Sequence, residues 1–318
     1  MGGETQEFGH FILRKRIATG GMGELFLAHT ASSGRPVVVK RIGEKYLDSS
    51  SVNAQFLEEA SLGNSLQHKN IVRVLGTGAS FGTRYIEMEY IEGVDCRALR
   101  KLTRKKLLST KHVLFIVSEV CSALEYVHNA RDSFGVPLRL VHCDLSPGNV
   151  MVSTQGEVKL LDFGIAVKAE ETQHKKPLFG KPGYSAPELL LARKIDGRAD
   201  VFSVGVVLFE LLTGHRLFPK IRPAGFAEHV DRISKGEFPL PSEINSDLEP
   251  LDFLVEKSVQ AEPSKRLQSA EALGRAVLAA LEQESPGYTP ADLGQVIATV
   301  APLFEGEPTW RYADSQPS

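Results

Sequence analysis

The chain reads as an α+β protein of two lobes, a small antiparallel sheet carrying one helix followed by a larger, mainly helical part. Three observations predict this. Residues 8 to 91 hold short runs rich in Val, Ile, Phe and Tyr between Gly and Ser turns. After Gly93 the apolar residues recur at three- and four-residue spacing over long stretches. Residues 137 to 199 are loop-rich and hold most of the unusual residue choices.

In order, FILRKRI, LFLAHT, PVVVKRI, IVRVLGTG and RYIEMEYI read as strands of a first unit, 8–91. A helix over Val52 to Gln67, with Phe56, Leu57, Ala60, Leu62 and Leu66 as a ragged stripe, interrupts them. The second unit, 92–284, contains helical patterns at Thr110 to Arg131, Asp200 to Thr213, Ala224 to Lys235, Leu248 to Gln260 and Ser269 to Glu284, each with polar residues between the apolar ones. ESPGYTP then marks a break, and 285–318 reads as an extension, partly helical or flexible, with an apolar stretch from Leu293 to Phe304.

Composition narrows the function classes. With 318 residues, 42% hydrophobic and 24% charged, the profile is soluble and globular. A net charge of −2 argues against bulk binding to nucleic acid or membrane. No apolar run is long enough to span a bilayer and no signal-peptide pattern opens the chain, so a cytoplasmic protein is expected. Cys96, Cys121 and Cys143 are far apart without metal-type spacing, which suits a reducing compartment. The histidines form no H-x-x-x-H group. The run at 97–112 holds seven Lys or Arg and reads as a solvated helix and loop face.

The chemistry is concentrated in a few motifs. IATGGMGELFLA joins two strands by a glycine-rich turn, where Gly20, Gly21 and Gly23 let backbone amides approach phosphate oxygens. Lys40 on the next strand can neutralise phosphate charge, and Glu58 or Glu59 on the following helix can hold that lysine. HCDLSPGN supplies Asp144 to accept a hydroxyl proton and Asn149, five positions on, as a hard-metal oxygen. DFG at 162–164 supplies Asp162, and GKPGYSAPE follows at 180–188. This is equipment for phosphoryl transfer from a nucleotide.

Taken in order, the glycine loop, strand lysine, helix glutamate, H-x-D-x-x-x-x-N, D-F-G and A-P-E resemble the protein kinase superfamily over residues 11 to about 282. The phrasing is similar to the bacterial, eukaryotic-like Ser/Thr kinases. The resemblance implies a bilobal protein kinase fold, ATP and Mg²⁺ (Mn²⁺ as an alternative metal) as cofactors, and a protein partner presenting a Ser or Thr hydroxyl. By the same resemblance Lys40 pairs with the α- and β-phosphates and Glu59 holds it. Asp144 is the catalytic base; Asn149 and Asp162 are the metal ligands. Met88 is the gatekeeper, Glu89 to Ile91 the hinge, and Asp95 a ribose contact. Leu25, Val38 and Met151 sandwich the purine. His142 and Phe163 belong to an internal apolar stack, Asp200 anchors the catalytic loop, and Glu188 and Arg266 staple the activation segment.

Five positions depart from the pattern. Ala18 replaces the first glycine of the loop. Val38 replaces the usual alanine, and overpacking there costs about 1–3 kcal/mol if nothing shifts. Cys143 replaces the arginine that pairs with a phosphate on the activation loop, so activity is expected not to wait on that phosphorylation. Ser146 replaces the lysine that meets the γ-phosphate, and Lys181 replaces the threonine that touches it. Hydroxyl and ammonium are therefore expected to have changed places, with Lys181 and Ser146 together doing the catalytic work of the family's pair. Two rival readings stand beside the kinase: a pseudokinase that binds nucleotide without turnover, supported by the departures, and a small-molecule phosphotransferase, against which the complete A-P-E segment speaks.

Overall fold

The computed structural model describes residues 6–19, 23–106, 108–163, 167–168, 181–218 and 225–304. In chain order the strands and helices begin with Gln6–Phe8 (β1), Phe11–Thr19 (β2), Gly23–Thr30 (β3), Pro36–Ile42 (β4), Ser50–Ser65 (α1), Val74–Ser80 (β5) and Thr83–Glu89 (β6). Gly93–Asp95 (β7), Cys96–Arg104 (α2), Thr110–His128 (α3), Leu140–Val141 (β8), Val150–Ser153 (β9), Val158–Leu160 (β10) and Val167–Lys168 (β11) follow. Pro187–Leu190 (α4), Arg198–Thr213 (α5), Phe226–Lys235 (α6), Asp252–Glu256 (α7), Ala270–Glu284 (α8) and Pro290–Val300 (α9) complete the described elements.

The first lobe is one antiparallel sheet in the order β1-β2-β3-β4-β6-β5. Its two faces bury different clusters, because alternate residues of a strand point to opposite sides. Phe8, Phe11, Leu13, Phe26, Val37 and Val39 pack on one face. Leu25, Val38, Ile86 and Met88 pack on the other, with Phe56 and Ala60 of α1 and with Met151 and Leu161 from below. Helix α1 starts two residues earlier than the apolar pattern predicts, because the Ser49 hydroxyl accepts from the Val52 amide and caps it.

The second lobe is built around α5, which is buried from Ala199 to Thr213 on every side. Its expected polar face is missing: Asp200, Ser203 and Glu210 are themselves buried. Helix α3 ends at His128 rather than Arg131, where Asn129 Nδ2 bonds back to the Glu125 carbonyl. The expected helix from Leu248 to Gln260 is instead a 3₁₀ segment, Ser246–Leu251, running into the short α7. Pro250 has no amide to give the helical ladder there.

Helix α9 packs on the second lobe. Leu293 and Ile297 are fully buried, and Phe304 beyond the helix joins the same core. Two glycines permit the approach: a Cβ on Gly156 (φ +82°) would lie 1.8 Å from the Pro290 carbonyl oxygen, and one on Gly294 would lie 2.7 Å from Gln155 carbonyl carbon. The Thr289 hydroxyl and amide both donate to Asp292 and start the helix.

The basic run is a solvated face only in part: Lys101, Arg104, Lys105 and Lys106 are exposed, whereas Arg97 and Arg100 are half-buried. In α2, Leu99 and Leu102 are buried, Arg97 pairs with Asp95, and Arg100 meets the buried Glu210 at 2.5 Å. Arg104 donates to the Gly214 carbonyl. The arginines join α2 to its neighbours, and their partners at 210 and 214 lie too far along the chain for a local charge pattern to show them.

Candidate active site

Strand register sets the upper half of the site. Lys40 lies opposite Leu25 on β3 and Ile86 on β6, and Val38 lies opposite Leu27 and Met88. Leu25, Val38, Lys40 and Met88 therefore share the face that looks toward Met151, which β9 presents beside Asp95 of β7. Gly23 pairs with Ile42 and Ala18 with Leu25, and a Cβ on Gly23 would lie 2.4 Å from the Arg41 carbonyl oxygen. Gly20 and Gly21 lie outside the described residues, as do Gly164, Thr172 and Gly180. Ile91 is buried, and the side chain of Glu89 accepts from the Arg73 amide and pairs with Lys159 at 3.3 Å.

Lys40 is buried between two carboxylates. Its Nζ donates to Glu59 Oε1 and lies 3.5 Å from Asp162 Oδ1, while Glu58 faces solvent. Burial works against the ammonium, but Asp162 and Glu59 outweigh it and hold the Lys40 pKa above its usual value. Burial pushes the Glu59 carboxyl up to about 7 against the attraction of Lys40. The two shifts fit one charge count: one ammonium cannot neutralise two ionised carboxylates. The triad carries one negative charge in excess, which suits a site completed by a cation at the more open Asp162.

The catalytic loop hangs from α5. Both oxygens of the fully buried Asp200 accept loop amides, Oδ2 from His142 at 2.8 Å and Oδ1 from Cys143 at 2.9 Å. The His128 ring also meets Oδ2 at 2.8 Å. Burial alone would raise the Asp200 pKa; the hydrogen bond and charge of His128, with His142, reverse this and hold it below the usual value. Cys143 takes a left-handed backbone (φ +62°), as Asp162 does (φ +61°), and such conformations persist only where neighbours over-determine them. The His142 ring stands edge-on to Phe163 at 5.0 Å. Cys143 is buried, and burial together with Asp200, Asp144 and Glu188 pushes its thiol pKa well up.

At the centre, Lys181 donates to three oxygens: Ser146 Oγ at 2.8 Å, Asn149 Oδ1 at 3.1 Å and Asp144 Oδ2 at 3.2 Å. Asn149 Nδ2 donates to the Asp144 carbonyl at 2.8 Å and to Asp144 Oδ2 at 3.0 Å, which turns its own carbonyl toward Lys181. Asp144 Oδ1 is buried and without a hydrogen-bond partner.

The end of the activation segment is fixed to the second lobe. Arg266 makes a two-pronged pair with Glu188 at 2.6 and 2.8 Å, and its other donors go to the carbonyls of Arg198, Gln260 and Ala261. Tyr184 donates to Glu210 at 3.0 Å, and Ser203 donates to the Tyr184 carbonyl.

Asp95, which the sequence resemblance makes a ribose contact, has structural partners of its own. Its Oδ1 accepts from the Ala98 amide as the cap of α2, and its Oδ2 accepts from Arg97 Nε and Nη2 at 2.9 and 2.7 Å. The carboxylate is buried and turned into the lobe. His128, Arg97 and the Arg100–Glu210–Tyr184 group escape a motif reading because each works through a partner distant in sequence or folded beside it. The only trace of the Arg100 group in the sequence is its place in the basic run.

Comparison with known proteins bears on these residues. The family profile described as "Protein kinase domain" matches residues 11–278. Among curated proteins, a Myxococcus xanthus protein named tyrosine-protein kinase MasK is 34% identical over 91% of this chain and 46% of its own length. The Streptomyces coelicolor serine/threonine-protein kinase PksC is 33% identical over 94% of this chain and 55% of its own. The Myxococcus xanthus serine/threonine-protein kinase pkn3 is 35% identical over 84% and 49%. The chain thus spans about half the length of the curated relatives it matches. Among solved structures, the Mycobacterium tuberculosis PknI kinase domain superposes with a TM-score of 0.66 at 23% identity, covering 87% of this chain and 98% of that one, a likeness of fold.

Proposed function

The chain belongs to the protein kinase family, and from that premise we propose that it transfers the γ-phosphoryl group of ATP to Ser or Thr hydroxyls of a protein substrate. The observation that carries this reading is the state of Asp144. One oxygen is held by Lys181 and Asn149, and the other is buried with no hydrogen-bond partner, which leaves its lone pairs to take an acceptor's proton. The acceptor oxygen attacks the γ-phosphorus, its proton goes to Asp144 Oδ1, and the bond to the bridging oxygen breaks to leave ADP.

Bound ATP supplies the phosphoryl group, and a divalent metal supplies charge neutralisation at its phosphates. Asp162 offers the hard oxygen that Mg²⁺ prefers, beside a triad with one negative charge in excess, and Mn²⁺ suits the same donor. Lys40, fixed by Glu59, holds the α- and β-phosphates under the glycine loop. Leu25, Val38, Met88 and Met151 enclose the purine, with Glu89 and Ile91 offering backbone groups to its edge. Lys181, steadied by Ser146, meets the γ-phosphate from the activation segment.

Cys143 brings no charge where the family's arginine stands, and the cation that does lie beside Asp144, Lys181, is engaged with Ser146 and Asn149, so turnover does not wait on phosphorylation of the activation loop. The three cysteines are free and buried, which suits a bacterial cytoplasm like that of the relatives' hosts. The test is phosphoamino-acid analysis of a generic protein substrate after incubation with γ-labelled ATP. Label on Ser or Thr that is lost in Asp144→Ala supports the reading. Label on Tyr alone corrects the acceptor class, and nucleotide binding without any transfer replaces the kinase with a pseudokinase.

A further inference from the structure

Protein kinases hold two metal ions at the nucleotide phosphates, one on the D-F-G aspartate and one on the catalytic-loop asparagine. In this chain the asparagine is already engaged by a cation of the protein's own. We infer that the Lys181 ammonium takes the place of the second metal ion, so that the chain works with a single divalent metal, at Asp162. This rests on the kinase reading above and deepens it.

Three observations converge. The first is the orientation of Asn149. Its amide nitrogen is committed to the Asp144 carbonyl and to Asp144 Oδ2, at 2.8 and 3.0 Å, so the only atom it can offer a metal is Oδ1. That atom accepts from Lys181 at 3.1 Å. The second is the anchoring of the ammonium. Its three protons have three oxygens around them, Ser146 Oγ nearest at 2.8 Å. Ser146 and Asn149 are both buried, so the ammonium occupies a built position rather than a chance one.

The third is the charge count. Asp144 and Lys181 cancel, so the Asn149 side of the site is neutral before any metal arrives. Lys40, Glu59 and Asp162 sum to one negative charge. Among the described residues, and with both carboxylates ionised, the excess negative charge lies on the Asp162 side. A metal bound on Asn149 Oδ1 would stand within a few ångströms of an ammonium on the same oxygen, and at that separation like charges repel strongly in a partly dry site. A single compact charge on a lysine tether can stay on Asp144 and Asn149 and turn the donor now on Ser146 to a phosphate oxygen, without dissociating between turnovers.

The test counts metal ions rather than turnover. Wild-type protein saturated with the non-hydrolysable β,γ-imido analogue of ATP is titrated with Mn²⁺, and free Mn²⁺ is read by electron paramagnetic resonance. One Mn²⁺ per nucleotide complex is expected in the wild type and in Lys181→Arg. In Lys181→Thr, which installs the family's residue, a second Mn²⁺ should bind at least about tenfold more tightly than any second ion in the wild type. Two Mn²⁺ in the wild type, with affinities matching Lys181→Thr, overturn the inference and leave the kinase reading standing. Should Lys181→Thr fail to fold, Lys181→Met takes its place, and the wild-type count still decides between one ion and two. Failure of the wild type to bind the nucleotide analogue at all sinks both readings together.

Discussion

Exchanging residues 146 and 181 is the sharpest perturbation this site offers. Lys181→Ala removes the one cation among the described residues that touches Asp144, together with donors to Ser146 Oγ and Asn149 Oδ1. Loss of one preorganised donor to a transition-state oxyanion typically costs about 10²–10³ in kcat, or about 2.7–4 kcal/mol. The same fall is expected here, with a further loss of stability of about 1–3 kcal/mol for a buried acceptor left unmet. Ser146→Lys alone brings a second ammonium into the neighbourhood of the first, since Ser146 Oγ itself lies 2.8 Å from Lys181 Nζ. At about 4 Å such a pair repels by about 4 kcal/mol near a protein surface, so this single variant should be as poor as Lys181→Ala. The double variant Ser146→Lys/Lys181→Thr restores one cation and one hydroxyl in the opposite arrangement, and it should recover most of the lost kcat. Steady-state kinetics on wild type, Ser146→Lys, Lys181→Thr and the double variant gives the coupling. A Lys181→Ala enzyme within a few-fold of wild type, or a double variant as poor as the product of its singles, would refute the exchange.

Other consequences follow from the buried charges. Truncating either partner of the Glu188–Arg266 pair leaves the other ionised and alone in the core, and chemical denaturation of Glu188→Ala should show a loss of about 3–5 kcal/mol. The raised Glu59 pKa has a definite sign: folding favours the protonated form, so this group makes stability fall as pH rises from about 4.5 to about 7. Thermal unfolding against pH should show that slope in the nucleotide-free wild type, and Glu59→Gln should flatten it. The Cys143 thiol stays protonated behind Asp200 and Asp144, so iodoacetamide should leave it unmodified in the native protein and label it after unfolding.

Much of the site was legible in the sequence because its chemistry sits in short motifs whose spacing is set by local structure. Lys40 lies on a strand, Glu59 on the next helix, and Asp144 and Asn149 on one loop. That Ser146 and Lys181 would meet beside Asp144 was legible as well, since a missing cation in one motif and an extra one in another invite the same question. What escaped were contacts between distant positions. The His128 ring reaches Asp200 across 72 residues, and Arg100 reaches Glu210 across 110. The motif reading of Asp95 also could not show that Arg97 and the start of α2 bond to its two oxygens. The apolar pattern of α5 gave a helix without revealing that it is enclosed on all sides. Leu293 to Phe304 gave apolar residues without revealing the glycine seat, at Gly156 and Gly294, that docks them.

The central claim is that this site turns over although its catalytic loop has lost two cations. Its most direct measurement is the rate of γ-phosphoryl transfer by phosphatase-treated wild-type protein, beside Asp144→Ala, with Mg²⁺ and ATP at saturation. Sustained transfer by the dephosphorylated wild type, falling by at least about 10² in Asp144→Ala, is the expected result. Tight nucleotide binding with no transfer above the Asp144→Ala background would contradict it.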